Sequence, residues 1–285
     1  MANVIIVGSG PAGVSASLYT ARAGIETTII TTGYSALKKA EKIENYYGFD
    51  SPVSGSQLES MGINGAKRLG VNIIEKEVVG ISFDDKLVVN TVDKELKADG
   101  VIIATGSSRL TPKIKGITEF EGKGVSYCAV CDAFFYRGKN VAVIGNGEYA
   151  VHEALELLPV VSSVTLLTDG EQAPENIPPE ILVNSQKIDA LVGEDRLNSV
   201  KFSDGSQLEI DGFFVALGVA GSAALARKIG AVVDGNSIAV DKNMATNIPG
   251  LYAAGDCTGG LLQIAKAVGD GAIAGTQIIK QIRKA

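Results

Sequence analysis

The sequence predicts an α/β protein, and three observations lead to that prediction. Short runs of Val, Ile and Ala, typical of buried strands, alternate with glycine turns and helix-forming stretches. The order strand, glycine turn, helix occurs twice, from residue 3 and from residue 140. Glycine makes up 34 of 285 residues, well above the roughly 7% average, which fits turns where the backbone must approach a ligand closely.

The first glycine motif follows the β-branched run 3–7 and precedes a helix-forming stretch that reaches Gly24. Between a strand and a helix, G-x-G-x-x-G spacing binds the pyrophosphate of a dinucleotide, helped by the partial positive charge of the helix N-terminus. The next strand ends at Thr31, where an acid usually holds the ribose, so a hydroxyl or backbone group must substitute. The motif consists of Gly8, Ser9, Gly10, Pro11, Ala12 and Gly13.

Two later strands and one helix predict that the dinucleotide is FAD. An acid at the carboxyl end of a strand, beside glycine, can reach a sugar hydroxyl in the crevice where such sheets bind ligands. The N–H groups that begin the helix can stabilise negative charge on a reduced flavin. The strands end in Ala104, Thr105 and Gly106 and in Gly255 and Asp256, and the helix begins with Gln263, Ile264 and Ala265.

Two cysteines with C-x-x-C spacing predict redox chemistry. Cys128 and Cys131 can close a small, reducible disulfide ring, and Asp132 follows at once. A carboxylic acid there can deliver the proton that a leaving thiolate needs, although an Asp can also simply cap a helix. The alternative for the pair is half of a structural zinc site, but the chain offers only one further Cys and one His as additional ligands.

Composition excludes several other functions. A net charge of −6 argues against a nucleic-acid partner. Three cysteines are too few for a disulfide framework and indicate a reducing compartment. No apolar run is long enough for a membrane span, and the N-terminus enters a strand directly, so we expect neither membrane insertion nor a signal peptide.

Taken together, these motifs resemble the low-molecular-weight thioredoxin reductase family of flavoproteins over nearly the whole chain. The resemblance implies FAD as cofactor, thioredoxin as substrate and a cytoplasmic homodimer. It implies that Asn45 lies beside the isoalloxazine, Asp256 on the ribityl chain and Cys131 against the flavin, with Cys128 as the outer, attacking thiol and Asp132 handling protons. The matching motifs are Gly8–Gly13, Glu44-Asn45-Tyr46 with Gly48-Phe49, Ala104–Gly106, Cys128–Asp132, Gly145–Ala150 and Gly255–Cys257.

The resemblance also implies two Rossmann-like dinucleotide-binding domains, each with three ββα layers. The FAD domain is expected to be discontinuous, from residues 1–113 and 241–285. Residues 114–240 are expected to form a second domain that carries the dithiol and that binds NADPH in ordinary members of the family. Two hinges between these domains let the family swing the dithiol from the flavin toward its protein substrate.

The second domain departs from the NADPH-binding pattern. In the NADPH enzymes a cluster of arginines clamps the 2′-phosphate, whereas this chain has no Arg between residues 138 and 195. Asp169 and Glu171 stand where that phosphate would sit, although Asp169 alone could suit the ribose of NADH. The ring of Tyr149 could fill the pyrophosphate space, and three prolines interrupt residues 173–180.

These departures resemble the ferredoxin-dependent flavin thioredoxin reductases of clostridia, so we expect ferredoxin as the electron donor. Three alternatives stay open: the same chemistry driven by NADH or NADPH, a dithiol oxidase, and a flavin-binding protein without turnover. Ferredoxins are acidic, and Lys38, Lys39 and Lys42 could dock one or could form a solvated turn. Cys257 is expected to be a small buried residue, and the only His, His152, to lie on a helix surface.

Overall fold

The fold is that of a computed structural model, which describes residues 2–33, 35–106, 112–218 and 221–284, apart from the side chains of Lys39 and Val130. The helices are α1 (Pro11–Arg22), α2 (Gly55–Arg68), α3 (Ala129–Asp132), α4 (Glu148–Leu157), α5 (Ser222–Lys228) and α6 (Ile264–Ile282). The strands are β1 (Asn3–Val7), β2 (Glu26–Thr31), β3 (Asn72–Glu75), β4 (Val78–Asp84), β5 (Lys86–Thr91), β6 (Glu95–Ala98), β7 (Gly100–Ile103), β8 (Val125–Ser126), β9 (Asn140–Ile144), β10 (Ser163–Leu167), β11 (Ile181–Asn184), β12 (Ile188–Gly193), β13 (Leu197–Phe202), β14 (Gln207–Glu209), β15 (Gly212–Val215), β16 (Val233–Asp234), β17 (Ser237–Ile238) and β18 (Leu251–Ala253).

The chain divides into two compact units, Met1–Ser108 with Gly221–Ala285, and Arg109–Ala220. The first unit is therefore discontinuous, but the chain returns to it at residue 221 rather than at the expected residue 241. The reason is that α5 packs against β4 and that β17 packs against a 3₁₀ turn at Asp256–Thr258. Residues 221–240 carry no motif that would have assigned them to this unit.

The first unit contains a five-stranded parallel sheet in the order β18-β7-β1-β2-β3 and a separate antiparallel meander, β4-β5-β6. Every residue from Val4 to Val7 of β1 is at most 3% exposed, as expected for a central parallel strand covered on both faces. One face packs on α1, α2 and α6 through alternate strand residues such as Ile6, Ile29 and Ile102. Pro11 begins α1, where its missing N–H leaves no gap in the helical hydrogen bonds.

The second unit repeats this plan. Its parallel sheet has the order β11-β10-β9-β15-β8, and its antiparallel meander is β12-β13-β14. The core between these layers is rich in aromatic side chains, among them Phe120, Phe202 and Phe213. The proline-containing stretch 168–180 contains neither helix nor strand, in line with its composition. The predicted α/β class with Rossmann-like parallel sheets is confirmed.

Within the described residues, no helix is both long and apolar enough to cross a membrane.

Candidate active site

The cysteine pair follows the carboxyl end of β8, with Cys128 two residues after the last strand residue, Ser126. Cys128 and Cys131 form a disulfide, with their Cα atoms 5.3 Å apart. Cys128 is the N-cap of α3, and its Sγ accepts a hydrogen bond from the Cys131 N–H at 3.3 Å. Cys128 is 4% exposed, whereas Cys131 is exposed. The predicted role of Cys128 as attacking thiol therefore requires a change of conformation that opens it to a partner.

Ser126 connects the predicted acid to this disulfide. Its hydroxyl donates to Asp132 Oδ2 at 2.6 Å and accepts from the Cys128 N–H at 3.2 Å. The hydroxyl is buried, so the short, charge-assisted bond fixes one carboxylate oxygen beside the dithiol helix. Ser126 thus links the Asp132 carboxylate to the backbone of Cys128, and the role of Asp132 as a proton donor stays a prediction.

A second acid contacts the dithiol helix from α4. Glu153 is 2% exposed, and its Oε2 accepts a hydrogen bond from the Ala129 N–H at 2.9 Å. Ala129 is the first residue of α3, so this carboxylate satisfies one of the N–H groups that a helix start leaves without an intrahelical partner. The helix of the second glycine motif therefore supports the dithiol directly.

The first glycine motif has the geometry of a pyrophosphate cradle. Gly8 has φ +109°, and a Cβ on Gly13 would lie 2.0 Å from the Gly8 carbonyl oxygen, so both positions require glycine. A Cβ on Gly10, by contrast, would meet nothing within 4 Å. Gly10 is the N-cap of α1 and has no side-chain cap, so open space lies next to the first N–H groups of this helix. These features fit the diphosphate of FAD.

At the predicted ribose position, hydroxyl groups replace the usual acid. Ser9 Oγ and Thr31 Oγ1 are 2.8 Å apart, and Thr31 Oγ1 also accepts from the Gly33 N–H at 3.2 Å. An acid does reach this edge of the sheet, from the neighbouring strand. Glu75 pairs in register with Thr31, and its Oε1 lies 2.8 Å from the position of a Cβ on Gly33.

The other predicted flavin residues lie at a strand end of the same sheet and at the start of α6. Ala104, Thr105 and Gly106 follow β7 directly, and Thr105 Oγ1 is a buried hydroxyl with no hydrogen-bond partner in the described part of the chain. Such a hydroxyl calls for a ligand atom, because an unsatisfied buried polar group is costly. Asn45 Nδ2 donates to Gln263 Oε1 at 2.9 Å, which brings two predicted flavin contacts together at the start of α6, beside Ile264 and Ala265.

An ion pair in α6 holds the loop that contains Gly255 and Asp256. Lys266 Nζ lies 2.8 Å from Asp270 Oδ2 and donates to the Gly255 carbonyl at 2.9 Å, while Asp270 Oδ2 accepts from the Gly255 N–H at 3.1 Å. Burial raises the pKa of Asp256, against the lowering effect of Lys266. Cys257 is fully buried, and burial raises the pKa of its thiol to about 12. It is therefore unreactive, in agreement with its predicted role as a small buried residue.

Asp169, which is predicted to stand where a 2′-phosphate would sit, is already bound within the second unit. Asp169 Oδ1 accepts from the Ile188 N–H at 2.8 Å, and its Oδ2 pairs with Lys187 Nζ at 2.9 Å. Both carboxylate oxygens thus have partners within the same unit, so this acid already has a structural role. Tyr149 is 3% exposed and belongs to the buried face of α4. That its ring fills the pyrophosphate space stays a prediction.

Two further expectations change in the structure. Lys38 forms an ion pair with Glu59 at 3.4 Å and Lys42 one with Glu44 at 2.9 Å, so this cluster offers less positive charge than its sequence indicates. His152 is half-buried, with its Nδ1 3.9 Å from Glu153 Oε1, rather than on the open helix surface. Within the described residues, no group of three or more His, Cys, Asp or Glu side chains could hold a metal ion.

Comparison with known proteins places this site in a family. The model of the pyridine nucleotide-disulphide oxidoreductases matches residues 2–271. A thioredoxin reductase from Aquifex aeolicus is 34% identical over 89% of this chain and 84% of its own length. The crystal structure of the atypical thioredoxin reductase TRi from Desulfovibrio vulgaris Hildenborough is 41% identical, with a TM-score of 0.92 over 100% of this chain and 99% of that one. A ferredoxin-flavin thioredoxin reductase from Clostridium acetobutylicum is 30% identical, with a TM-score of 0.73 over 99% and 98% of the two chains.

The fold, the disulfide and the FAD cradle together define a flavoprotein disulfide reductase, and the chain belongs to the pyridine nucleotide-disulphide oxidoreductase family. Within that family it is a homologue of the thioredoxin reductases, and FAD is its cofactor.

Sequence reasoning missed four residues of this site: Ser126, Glu153, Lys266 and Asp270. Glu153 carries a signal, because the buried face of α4 consists of positions 149, 150, 153, 154 and 157 and an acid at position 153 interrupts an otherwise uncharged face. Lys266 and Asp270 carry another, because they lie four residues apart on one helix, a spacing that favours an ion pair. The contact of Ser126 with Asp132 and the contacts of the α6 pair with Gly255 are known only from the fold.

Proposed function

We propose that this protein is a thioredoxin reductase that takes electrons from reduced ferredoxin and delivers them through the Cys128–Cys131 dithiol to thioredoxin. The observation that carries this proposal is the second unit, which keeps the dithiol but lacks the charge partners of a nucleotide. It has no Arg between residues 138 and 195, and its Asp169 is bound to Lys187 and the Ile188 N–H. The structural neighbour from Clostridium acetobutylicum, named as a ferredoxin-flavin thioredoxin reductase, supports the same donor.

The chain's own residues supply the disulfide chemistry. Two electrons and two protons convert the Cys128–Cys131 disulfide into two thiols. The thiolate of Cys128 attacks the disulfide of thioredoxin, which breaks that S–S bond and forms a mixed disulfide. Cys131 then attacks Cys128, restores the internal disulfide and releases thioredoxin as a dithiol. Asp132, held by Ser126, moves the proton to the leaving thiolate.

Bound FAD would supply the exchange between single electrons from a protein donor and the electron pair that a disulfide needs. The first glycine motif would hold its diphosphate and Thr31 its adenosine ribose. Ala104, Thr105, Gly106, Gly255 and Asp256 would line the rest of the cofactor at the strand ends. Asn45 and Gln263, joined by their hydrogen bond, would lie against the ring system, together with Ile264 and Ala265. We further propose that the protein works as a homodimer in the cytoplasm.

A second candidate donor is NADH or NADPH. The family description favours it, because it names pyridine nucleotides. A dithiol oxidase of the same fold would use the same cysteines and FAD in the opposite direction.

One anaerobic experiment separates these functions. The oxidised holoenzyme receives NADPH, NADH or photochemically reduced ferredoxin while the flavin absorbance is followed, and oxidised thioredoxin is then added. We expect bleaching and thioredoxin reduction with ferredoxin only. Turnover with a pyridine nucleotide and none with ferredoxin would return the protein to the nucleotide-dependent class. A separate aerobic assay tests the oxidase, because oxygen consumption driven by reduced thioredoxin would identify one.

The ion pairs of Lys38 and Lys42 make this cluster a weak candidate for ferredoxin docking. The double variant Lys38→Glu, Lys42→Glu tests it in the ferredoxin-coupled assay at several salt concentrations, since charge docking is screened beyond about 10 Å near 0.1 M salt. Because both lysines already have acidic partners, we expect less than a threefold change. A larger loss, greatest at low salt, would place the donor at this cluster.

A further inference from the structure

We propose that Glu153 is a positioning residue that makes the Cys128–Cys131 dithiol a stronger reductant. The proposal rests on the proposed function only in taking the dithiol as redox-active. It concerns a side chain outside the glycine motif and outside the C-x-x-C segment, contributed by α4.

The geometry places one buried carboxyl group at the start of α3, and the proposal takes this group to be ionised. Glu153 Oε2 accepts from the Ala129 N–H at 2.9 Å, and Ala129 follows Cys128 directly in the chain. The side chain of Glu153 is 2% exposed, so water screens this charge little. Beside it on α4, His152 Nδ1 lies 3.9 Å from Glu153 Oε1, and His152 Nε2 lies 3.6 Å from Glu156 Oε1. On α3 itself, the titratable neighbour is Asp132, which is bound to Ser126.

The start of a helix can stabilise only a limited amount of negative charge. In a reduced C-x-x-C pair at such a position, the N–H groups favour the thiolate, and a stabilised thiolate makes the dithiol a weaker reductant. In this protein Cys128 Sγ already accepts from the Cys131 N–H, while Glu153 accepts from the Ala129 N–H of the same helical turn. The carboxylate takes one of these donors and repels a thiolate on Cys128. The reduced form is therefore less stable, and its electrons are passed on more readily.

The decisive variant is Glu153→Gln, which keeps a carbonyl oxygen for the Ala129 N–H but removes the charge. The matched control is Glu156→Gln, which removes an acid three positions further along the same helix. The Glu156 side chain is 40% exposed, and its Oε1 lies 3.6 Å from His152 Nε2. Each holoenzyme is equilibrated anaerobically with dithiothreitol of set redox ratio at pH 6 to 9. The thiols are then trapped by acid and counted with a maleimide mass tag under denaturing conditions. Cys257 adds one constant tag, so oxidised and reduced chains differ by two.

We expect Glu153→Gln to favour the reduced dithiol by about tenfold at pH 9, which is about 30 mV for a two-electron couple, and by less at pH 6. The pH dependence follows because the charge acts on the thiolate and not on the thiol. A purely structural role predicts no change in Glu153→Gln, or a change that is the same at every pH, and either result overturns the proposal. An equal shift in Glu156→Gln overturns it too, because any nearby acid would then suffice.

If Glu153→Gln does not retain FAD, Glu153→Asp takes its place. That variant keeps the charge and shortens the reach, so we expect an equilibrium within twofold of the wild type, and a tenfold, pH-dependent shift would contradict the proposal. Neither ferredoxin nor thioredoxin takes part in this measurement. Its failure is therefore distinct from a failure of the proposed function.

Discussion

The two glycine motifs of this chain have the same position in two similar sheets but different surroundings. In the first, Gly10 is the uncapped N-cap of α1 and faces open space, and a buried hydroxyl of Thr105 at a nearby strand end has no partner among the described residues. In the second, Gly147 is likewise the uncapped N-cap of α4, but Ala150 replaces the third glycine and Asp169 is bound within its own unit. The first motif has the features of a diphosphate site, whereas the second keeps the turn while its nearby acid is bound to protein groups.

The difference indicates what the second unit is kept for. The helix of the second motif contacts the dithiol segment, because the buried Glu153 of α4 accepts a hydrogen bond from the first N–H group of α3. The second unit therefore positions the dithiol through its own sheet and helix. If the proposed ferredoxin donor is correct, this role alone explains why a Rossmann-like unit is kept.

The largest effect that would test this comparison concerns the dithiol itself. Cys128→Ser and Cys131→Ser should each reduce thioredoxin at least a thousandfold more slowly, because neither variant can complete the exchange of one disulfide for another. Reduction of the flavin by the donor should be unchanged, since it belongs to the first unit. The flavin spectrum and thioredoxin-coupled turnover are measured side by side.

The two cysteine variants also sharpen the assignment of roles. If Cys128 attacks, Cys131→Ser should trap a stable mixed disulfide with thioredoxin. In this structure Cys131 is exposed and Cys128 is buried, so an attack by Cys131 is a specific alternative that the two variants can distinguish. A mixed disulfide trapped only by Cys128→Ser would assign the attack to Cys131, and full turnover in either variant would remove the dithiol from the mechanism.

A matched pair of glycine substitutions compares the two motifs directly. A Cβ on Gly10 meets nothing within 4 Å, and a Cβ on Gly147 meets only the Gly218 carbonyl at 3.5 Å, an ordinary contact. Both backbones are extended, with φ −70° and −121°, so alanine fits the fold at either position. Gly10→Ala should weaken FAD binding at least tenfold, about 1.4 kcal/mol, because the methyl group occupies the space of the diphosphate. Gly147→Ala should leave FAD retention and ferredoxin-driven turnover within twofold of the wild type.

FAD retention during dialysis and titration of the apoprotein measure the first effect, and the coupled assay measures the second. Equal FAD affinity in Gly10→Ala and the wild type would contradict the assignment of the first motif. Loss of turnover in Gly147→Ala, with a raised KM for a pyridine nucleotide, would show that the second motif still binds one.

A smaller effect is expected from Ser126→Ala. The variant removes the hydrogen bond to Asp132 and the acceptor for the Cys128 N–H, and a bond to a charged group contributes roughly 1.5–3 kcal/mol. Thioredoxin turnover should fall roughly tenfold while flavin reduction stays unchanged. Ser126→Thr keeps the hydroxyl and should recover most of the rate; equal loss in both variants would indicate a packing defect instead.

The sequence predicts most of this fold because its signals are local. The runs at 3–7, 140–144 and 163–167 coincide with β1, β9 and β10, and α6 begins immediately after Gln263 as predicted. The features that the sequence did not reveal depend on contacts between residues that are far apart along the chain. The return to the first unit at residue 221 is set by packing of α5 on β4. The bond of Glu153 to Ala129 spans 24 positions and the ion pair of Lys38 with Glu59 spans 21, so no local pattern reveals either contact.

The smallest effect is expected at Cys257, which lies in the first unit, whereas Cys128 and Cys131 lie in the second. Its Sγ is buried against the carbonyls of Ile103 and Ala254, at 3.4 and 3.3 Å, and burial raises its pKa to about 12. At pH 8 about one thiol in ten thousand would be ionised, so maleimide should label Cys128 and Cys131 in the reduced native enzyme and leave Cys257 unlabelled. Cys257→Ala should retain turnover within twofold and lose roughly 1 kcal/mol of unfolding free energy, because a small buried group is removed. Mass spectrometry of labelled native enzyme and thermal unfolding of the FAD-bound variant measure both effects. Two results would contradict this prediction: labelling of Cys257 at the rate of Cys131, or a tenfold loss of turnover in Cys257→Ala without loss of FAD. Either result would give this third cysteine a part in electron transfer. The contrast between a reactive pair in one unit and an inert thiol in the other would then no longer hold.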